Sequence, residues 1–310
     1  MVAVLMSTYN GAAYLKEQIN SILNQTYQDF VLYIRDDGST DNTCALIREY
    51  TDRRIRFITG GNLGPAGSFF ALLQQEMDAD YVFFSDQDDI WYPEKMERML
   101  RAIEDYGDTP TMVFSDFSMI DSNGCQTAPS YARYASLQVT PGNVSLGKVI
   151  AQPYVFGCAS VINRALSQLV AYPPEGIEMH DCWICQSAAA VGNLIYIPEQ
   201  TIAHRFHNCN ATGRSGQDSA AARLKRMTRG FQDQVRNTAL RLHQVDLLLE
   251  HQREHLLPEA LAALTEISAS MKNGKLNTLK ALKKYGVSRQ KKSNTLFFYL
   301  TVLGIKGEIT

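Results

Sequence analysis

Through residue 115, short apolar runs of strand length alternate with segments of helical spacing, and this alternation limits the folds open to the chain more than any other feature. The runs occupy residues 2–6, 30–34, 55–58, 81–84 and 112–115. Between them, residues 12–24, 43–50, 68–77 and 94–105 carry helical periodicity, as in Tyr14, Ile19, Ile22 and Leu23. Such a pattern implies an α/β fold with a doubly wound, mostly parallel sheet, whose ligands sit at the carboxyl ends of the strands. Polar motifs stand at those ends: Ser7 to Asn10 after the first run, Asp36 to Ser39 after the second, Gly60 to Gly64 after the third and Asp86 to Asp89 after the fourth.

The last of these, Ser85-Asp86-Gln87-Asp88-Asp89-Ile90-Trp91, sets three carboxylates within four residues. They repel one another unless positive charge lies between them, and a divalent cation is the natural counter-charge. Oxygen ligands favour Mg²⁺ or Mn²⁺ over zinc, and such ions usually also hold substrate phosphates. Asp36-Asp37-Gly38-Ser39-Thr40-Asp41 has a structural use, since Ser39 or Asp41 can cap a helix starting near Thr43. Two adjacent acids exceed what a cap needs, and a carboxylate there can accept from the N–H edge of a pyrimidine base.

At 310 residues and 45 % apolar content, the chain can bury a proper core. Its net charge of −2 conceals an asymmetry: residues 1–215 carry 14 Lys+Arg against 24 Asp+Glu, and residues 216–310 carry 16 against 8. From about Ser219 the pattern changes to long amphipathic helices, with Leu224, Met227, Phe231, Val235, Leu242, Val245 and Leu249 on one stripe. The expected division is an α/β domain over residues 1–215 and a basic helical extension over 216–310. Residues 272–292 hold no acid and lead into Leu296-Phe297-Phe298-Tyr299-Leu300, which reads either as a solvated face with an apolar plug or as a surface docking on an anionic membrane. The extension is equally open to an oligomer contact, a homodimer being the simplest, and nucleic acid is not an expected partner. The amino terminus shows no export signal, and no stretch reaches the ~18–20 apolar residues that span a bilayer. Six scattered cysteines fit reduced thiols. The expected location is cytoplasmic, peripheral at the inner face of the cell membrane.

In the second half, Asp181 opens a helical stretch running to Ala190, where a carboxylate also suits the helix dipole by ~1 kcal/mol. Trp91, after the acidic motif, is either core or a stacking wall for a ligand ring. His180, Cys182, Cys185, His204, His207 and Cys209 raise a zinc alternative. Helical cysteines three apart differ from the knuckle turn of a zinc site, so the thiols read as small core residues and His204 as structural.

Met6-Ser7-Thr8-Tyr9-Asn10-Gly11, Arg35-Asp36-Asp37-Gly38-Ser39-Thr40-Asp41, Asn62-Leu63-Gly64 and the acidic motif together resemble the family 2 glycosyltransferases, which have the nucleotide-sugar-binding GT-A fold. By that resemblance Ser7, Tyr9 and Asp37 hold the base and ribose, with Asn10 and Asn62 in the same donor site. Asp86 lies near the sugar nucleotide, and Asp88 binds the metal bridging the diphosphate. Asp181 matches the family's general base, with His180 standing where many relatives have Glu, on the acceptor side. His207 and Asn210 match a His-x-x-Asn pattern, His207 at the metal or diphosphate. Arg205 or Arg214 could neutralise phosphate in a loop whose Gly and Asn content suggests a mobile lid. Gly157 and Cys158 fall in the segment that walls the acceptor, which equally reads as a strand leading into a turn. The whole chain most resembles bacterial rhamnosyltransferases of cell-wall polysaccharide synthesis, which use dTDP-β-L-rhamnose and a polyprenyl-diphosphate-linked glycan. A family 2 transferase with a UDP-glucose, UDP-galactose or UDP-N-acetylhexosamine donor, or a sugar-phosphate nucleotidyltransferase, is the alternative.

Overall fold

The computed structural model describes residues 1–76, 78–152, 154–207 and 220–305, with backbone alone over 220–229. Met77, Cys209, Asn210, Gly213, Arg214 and the expected boundary at 215/216 lie outside the described residues, as do the side chains of Leu224 and Met227. The first half follows the alternation read from the sequence. Strands β1 (Val2–Thr8), β2 (Phe30–Asp36), β3 (Ile55–Thr59) and β4 (Tyr81–Ser85) pair in parallel in the order β3-β2-β1-β4. Helices α1 (Leu15–Leu23), α2 (Thr43–Arg48) and α3 (Gly64–Glu76) make the crossovers.

After β4 come β5 (Ile90–Trp91), α4 (Lys95–Glu104), β6 (Thr111–Ile120), β7 (Gln126–Ala128), α5 (Tyr131–Tyr134), β8 (Gly142–Asn143) and α6 (Leu146–Ala151). A 3₁₀ turn at Gly157–Ala159 then enters β9 (Ser160–Asn163), followed by α7 (Arg164–Val170), α8 (His180–Val191) and β10 (Asn193–Arg205). The sheet continues from β4 through β9, β6 and β10 to β5. β6 and β10 are parallel, whereas β9 runs antiparallel to β4 and β6 between them. The sheet is thus mixed but mostly parallel.

Alternate side chains along the strands feed two apolar layers, as a pleated sheet covered on both faces requires. Ala3, Leu5, Phe84 and Phe114 face α3, α7 and α8, while Val4, Met6, Phe83 and Val113 face α1 and α4. Beyond α9 (Ala220–Gln252) the chain adds α10 (Pro258–Lys272), α11 (Lys275–Lys284) and α12 (Lys292–Gly304). Leu242, Val245 and Leu248 of α9 join the same apolar layer as Trp183 and Ala188 of α8, so the extension shares a core with the sheet.

Two strands outrun their sequence-based limits. The apolar run at 112–115 underlies β6 and a similar run at residues 194–197 underlies β10, yet β6 extends to Ile120 and β10 to Arg205. The added residues include Asp116, which is buried but accepts from Ser130 Oγ at 2.6 Å, Ala132 N at 2.9 Å and Gln200 Nε2 at 2.8 Å. β10 absorbs two register shifts on the way, between Ile197 and Gln200 and between Gln200 and Ala203. Its far end lies beside β5, which delivers residues 204–207 to the acidic motif.

Candidate active site

At the carboxyl edge of β4 the acidic motif turns out of the sheet and meets the end of β10. Asp88 Oδ2 lies 2.8 Å from His207 Nε2, and Asp89 Oδ1 lies 2.8 Å from His204 Nδ1. Asp89 Oδ1 also accepts the Arg205 N–H at 3.0 Å. Burial and the neighbouring Asp89 and Asp88 push the Asp86 carboxyl up to about 7, and burial with Asp89 raises Asp88 despite His207. At Asp89 burial acts in the same direction, but His204 and the Arg205 N–H prevail and hold its carboxyl below the usual range. Burial likewise opposes charge on His204, and Asp89 overcomes it, bringing the imidazole up to about 9.

A second cation lies under this cluster. Lys95 is fully buried, donates to the Cys158 carbonyl at 2.7 Å and rides 4.4 Å from the centre of the Trp91 ring. Burial pulls its ammonium down to about 7 against the attraction of Asp89 and Asp86. Asp86, Asp89, Cys158 and His204 bring ligand atoms within 4.8 Å of one another among the described residues. That inner group already holds its own positive charge in His204, and of its members only Asp86 is not fully buried. The outer pair is reachable, with Asp88 and His207 side chains 15 % and 13 % exposed.

The turn Gly157–Ala159 connects the acidic cluster to α8. Cys158 contacts His204, its Sγ 3.7 Å from Nδ1, while Gly157 abuts His180 and Asp181. A methyl group at 157 would come within 2.6 Å of His180 Nε2 and 3.6 Å of Asp181 Cβ. His180 is buried, stacks on Phe69 with ring centres 4.2 Å apart, and has neither ring nitrogen hydrogen-bonded. Burial keeps it neutral against the pull of Asp181. Asp181, half-buried in the first turn of α8, accepts the Cys182 N–H on Oδ1 at 2.7 Å. The acidic cluster and Asp181 therefore flank one short turn.

The other wall is built from the ends of β1, β2 and β3. Asp36 accepts from Ser39 N at 2.8 Å and Thr8 Oγ1 at 3.1 Å; these bonds, with others from Ser39 and Cys44, outweigh burial and lower its carboxyl. Asp37 is buried, pairs with Arg35, and accepts Leu63 N at 2.9 Å and Gly64 N at 2.8 Å, which ties the β2 edge to the start of α3. Asn62 Oδ1 takes the Gly64 N–H at 3.1 Å. Ser7 Oγ donates to Ser68 Oγ at 2.7 Å. Asn10, at φ 48°, donates its N–H to Ser39 Oγ at 2.8 Å and accepts from Thr40 N at 2.8 Å. Tyr9 is exposed, and its backbone is clasped by Gln87, which accepts from Tyr9 N at 2.9 Å and donates to Tyr9 O at 3.1 Å. Gly11 permits that clasp, because a methyl group there would meet Gln87 Oε1 at 2.0 Å. Ser7, Tyr9, Asn10, Asp37 and Asn62 thus line the edge that the acidic motif also reaches.

The family model described as "Glycosyl transferase family 2" matches residues 3–166, more than half of the chain. The chain belongs to this family. Relatives include an uncharacterized glycosyltransferase of Rickettsia typhi, 25 % identical over 68 % of this chain and 66 % of that protein. The dTDP-rhamnosyl transferase RfbG of Shigella flexneri is 35 % identical over 40 % of this chain and 43 % of its own length. The Escherichia coli UDP-Glc:alpha-D-GlcNAc-diphosphoundecaprenol beta-1,3-glucosyltransferase WfgD is 28 % identical over 50 % and 64 %. The chain thus spans less than two thirds of the length of these curated relatives. Among solved structures, S. aureus TarS 1-349 in complex with UDP-GlcNAc aligns over 92 % of this chain and 80 % of its own, with TM-score 0.58 at 18 % identity. The mannosyltransferase PcManGT from Pyrobaculum calidifontis, in complex with GDP-Man and Mn²⁺, covers 98 % and 86 % with TM-score 0.51 at 18 % identity. The fold is therefore that of the GT-A transferases.

Within this family 2 site two sequence-based expectations need correction. Trp91 is 2 % exposed, packed on Phe83 and covered by Lys95, so of its two readings the core role holds and no ring face is left for an acceptor sugar. Arg205 is not aimed at a phosphate. Its guanidinium is buried, donates to Glu17 at 2.6 Å and to the Asp88 carbonyl at 2.9 Å, and sits 4.5 Å from the centre of the Tyr14 ring. The zinc alternative has no support from Cys182 and Cys185, both buried in α8, where Cys185 Sγ donates to the Cys182 carbonyl at 3.4 Å. Sequence reasoning missed Lys95, and it missed Asp89 as the partner of His204. The only available signal was a lone Lys at the start of a helix, where the macrodipole disfavours a cation.

Proposed function

We propose that the chain is an inverting, metal-dependent glycosyltransferase that moves a sugar from a nucleotide donor to a hydroxyl of a lipid-linked cell-wall glycan. The observation that carries this reading is the reachable Asp88–His207 pair on one side of the Gly157–Ala159 turn and Asp181 on the other. Residues 1–215 form the catalytic unit and 216–310 the helical extension.

The crowded carboxylates fit a hard cation, since Asp86 and Asp88 are both pushed toward protonation by burial and by negative neighbours, and an ion would offset the repulsion from those neighbours. Asp88, with His207 beside it, would hold Mg²⁺ or Mn²⁺, which supplies positive charge for the departing diphosphate. Ser7, Tyr9, Asn10, Asp37 and Asn62 position the base and ribose, and Asp86 lies by the donor sugar. Asp37 is buried with both carboxyl oxygens engaged by Arg35, Leu63 and Gly64, so it acts in the donor site by holding that wall in place. Asp181 accepts the acceptor hydroxyl proton on Oδ2, its Oδ1 being engaged by Cys182 N. The hydroxyl oxygen attacks the anomeric carbon in line as the bond to the diphosphate oxygen breaks. Gly157, Cys158 and His180 form the acceptor wall, with His180 acting through its packing.

L-Rhamnose from dTDP-β-L-rhamnose is the donor best supported, by the family's whole-chain pattern and the partial likeness to RfbG. The likeness to WfgD supports a polyprenyl-diphosphate acceptor and keeps UDP-glucose as the competing donor. Incubating the purified protein with a panel of nucleotide sugars and metals tests the assignment: dTDP-rhamnose should be consumed fastest, and only with Mg²⁺ or Mn²⁺. Asp181→Asn should retain donor binding and lose transfer by roughly 10²–10⁴-fold. Failure of every nucleotide sugar to react would overturn the enzyme reading, and unchanged turnover by Asp181→Asn would remove the base.

A further inference from the structure

We propose that the outer face of α11 and α12 is a docking surface for an anionic lipid bilayer. α12 buries Phe298, Thr301 and Val302 against the rest of the chain and turns Leu296, Leu300 and Leu303 outward, with Phe297 half-exposed where its ring edges onto Phe231 of α9. With Leu276 of α11 these side chains are 37 % to 71 % exposed. The two helices are tied head to tail, because Lys275 at the start of α11 donates to the Leu303 carbonyl at 3.0 Å and also to the Ile305 carbonyl at the end of α12. Leu276, the next residue, is exposed at that same junction of the two helices. Scattered exposed leucines are ordinary, but Leu296, Leu300 and Leu303 share one face of α12 with half-exposed Phe297 beside them, and such a stripe marks a surface that is covered in use.

Charge decides what covers it. Residues 272–305 contain eight Lys and Arg and no acid. Lys284 pairs with Glu266, whereas Lys280, Lys283, Lys291 and Lys292 are exposed and make no ion pair among the described residues. A second copy docking through the same face would set these lysines against their own counterparts, and such repulsion disfavours a self-complementary contact. Anionic headgroups are attracted instead, while the leucines reach the acyl boundary. No helix among the described residues is long and apolar enough to cross a membrane, and α12 at 13 residues suits lying in the interface plane. This surface extends the lipid-linked acceptor reading above by holding the catalytic unit where such an acceptor is anchored.

Sedimentation of the full chain with vesicles tests it. The protein should pellet with phosphatidylcholine vesicles containing phosphatidylglycerol, remain in solution with phosphatidylcholine alone, and be released by high salt. L296E/L300E should weaken binding about 100-fold, and replacing Lys280, Lys283, Lys291 and Lys292 by Gln should weaken it roughly fivefold per lysine. Both variants should melt like the parent, since the changed side chains point outward. The proposal fails if the parent does not pellet with anionic vesicles or if L296E/L300E pellets equally. It also fails if ultracentrifugation finds a dimer that L296E/L300E dissolves. Sugar transfer to a soluble acceptor separates the two readings: intact transfer without vesicle binding rejects the docking surface alone, and vesicle binding without any transfer rejects the enzyme reading alone.

Discussion

Gly157→Ala probes the contact that seats the proposed base. The added methyl would lie 2.6 Å from His180 Nε2, where ordinary van der Waals contact begins at 3.4 Å, so about 0.8 Å must be made up. The His180 ring cannot simply swing away, because it is stacked on Phe69 and packed near Phe84. Either the turn or the first turn of α8 has to move, at a cost of about 1–3 kcal/mol for overpacking. That corresponds to a melting temperature lower by roughly 2–6 °C for a chain of this size. Asp181 is the next residue after His180 and moves with it, and a displacement near 1 Å can cost about 10²-fold in rate. Calorimetry and steady-state kinetics should therefore show a modest loss of stability beside a large loss of kcat, with donor KM nearly unchanged. A double-mutant cycle with His180→Ala should return a favourable coupling of roughly 1–2 kcal/mol, since removing the ring makes room for the methyl. A variant that melts and turns over like the parent would refute the reasoning, and so would additive effects in the cycle.

Trp91→Ala should cost about 3–5 kcal/mol in urea denaturation without raising the acceptor KM, whereas a stacking wall would show the opposite split. Asp88→Asn should abolish the metal dependence of transfer, and chelator-treated parent protein should regain activity on adding Mn²⁺ while the variant does not; full activity after chelation would rule out the metal role. His204 supplies a pH test. Its folded-state pKa of about 9 stands above the free value of 6.5, so its bond to Asp89 stabilises fully below 6.5 and fades as pH rises through 9. The stability gap between the parent and His204→Asn should be widest near pH 6 and shrink to a pH-independent remainder, set by the ring's packing, by about pH 9.5. A gap independent of pH would mean that the imidazole is not charged in the folded protein.

The sequence by itself determined the βα alternation, and with it the edge at which the motifs gather. Four apolar runs each continue directly into a polar motif, and parallel strands joined by helical crossovers must bring all their carboxyl ends to one side. Nothing beyond local periodicity was needed to place Ser7, Asp37, Asn62 and Asp86 together. β6 and β10 were legible only in part, because Ser115, Asp116 and Ser118 break the apolar signal and are paid for by partners such as Ser130 and Gln200 that lie elsewhere in the chain. Which acid met which cation could not be read at all. Asp89 follows β4 and His204 lies near the end of β10, so their contact depends on how far β10 runs alongside β5. Tertiary structure alone decided that Lys95 is a buried counter-charge, that Trp91 lies beneath it, and that Gly157 yields its side-chain space to His180. These outcomes follow from through-space packing and electrostatics, whose strength depends on distance and desolvation, and neither quantity is carried by residue order.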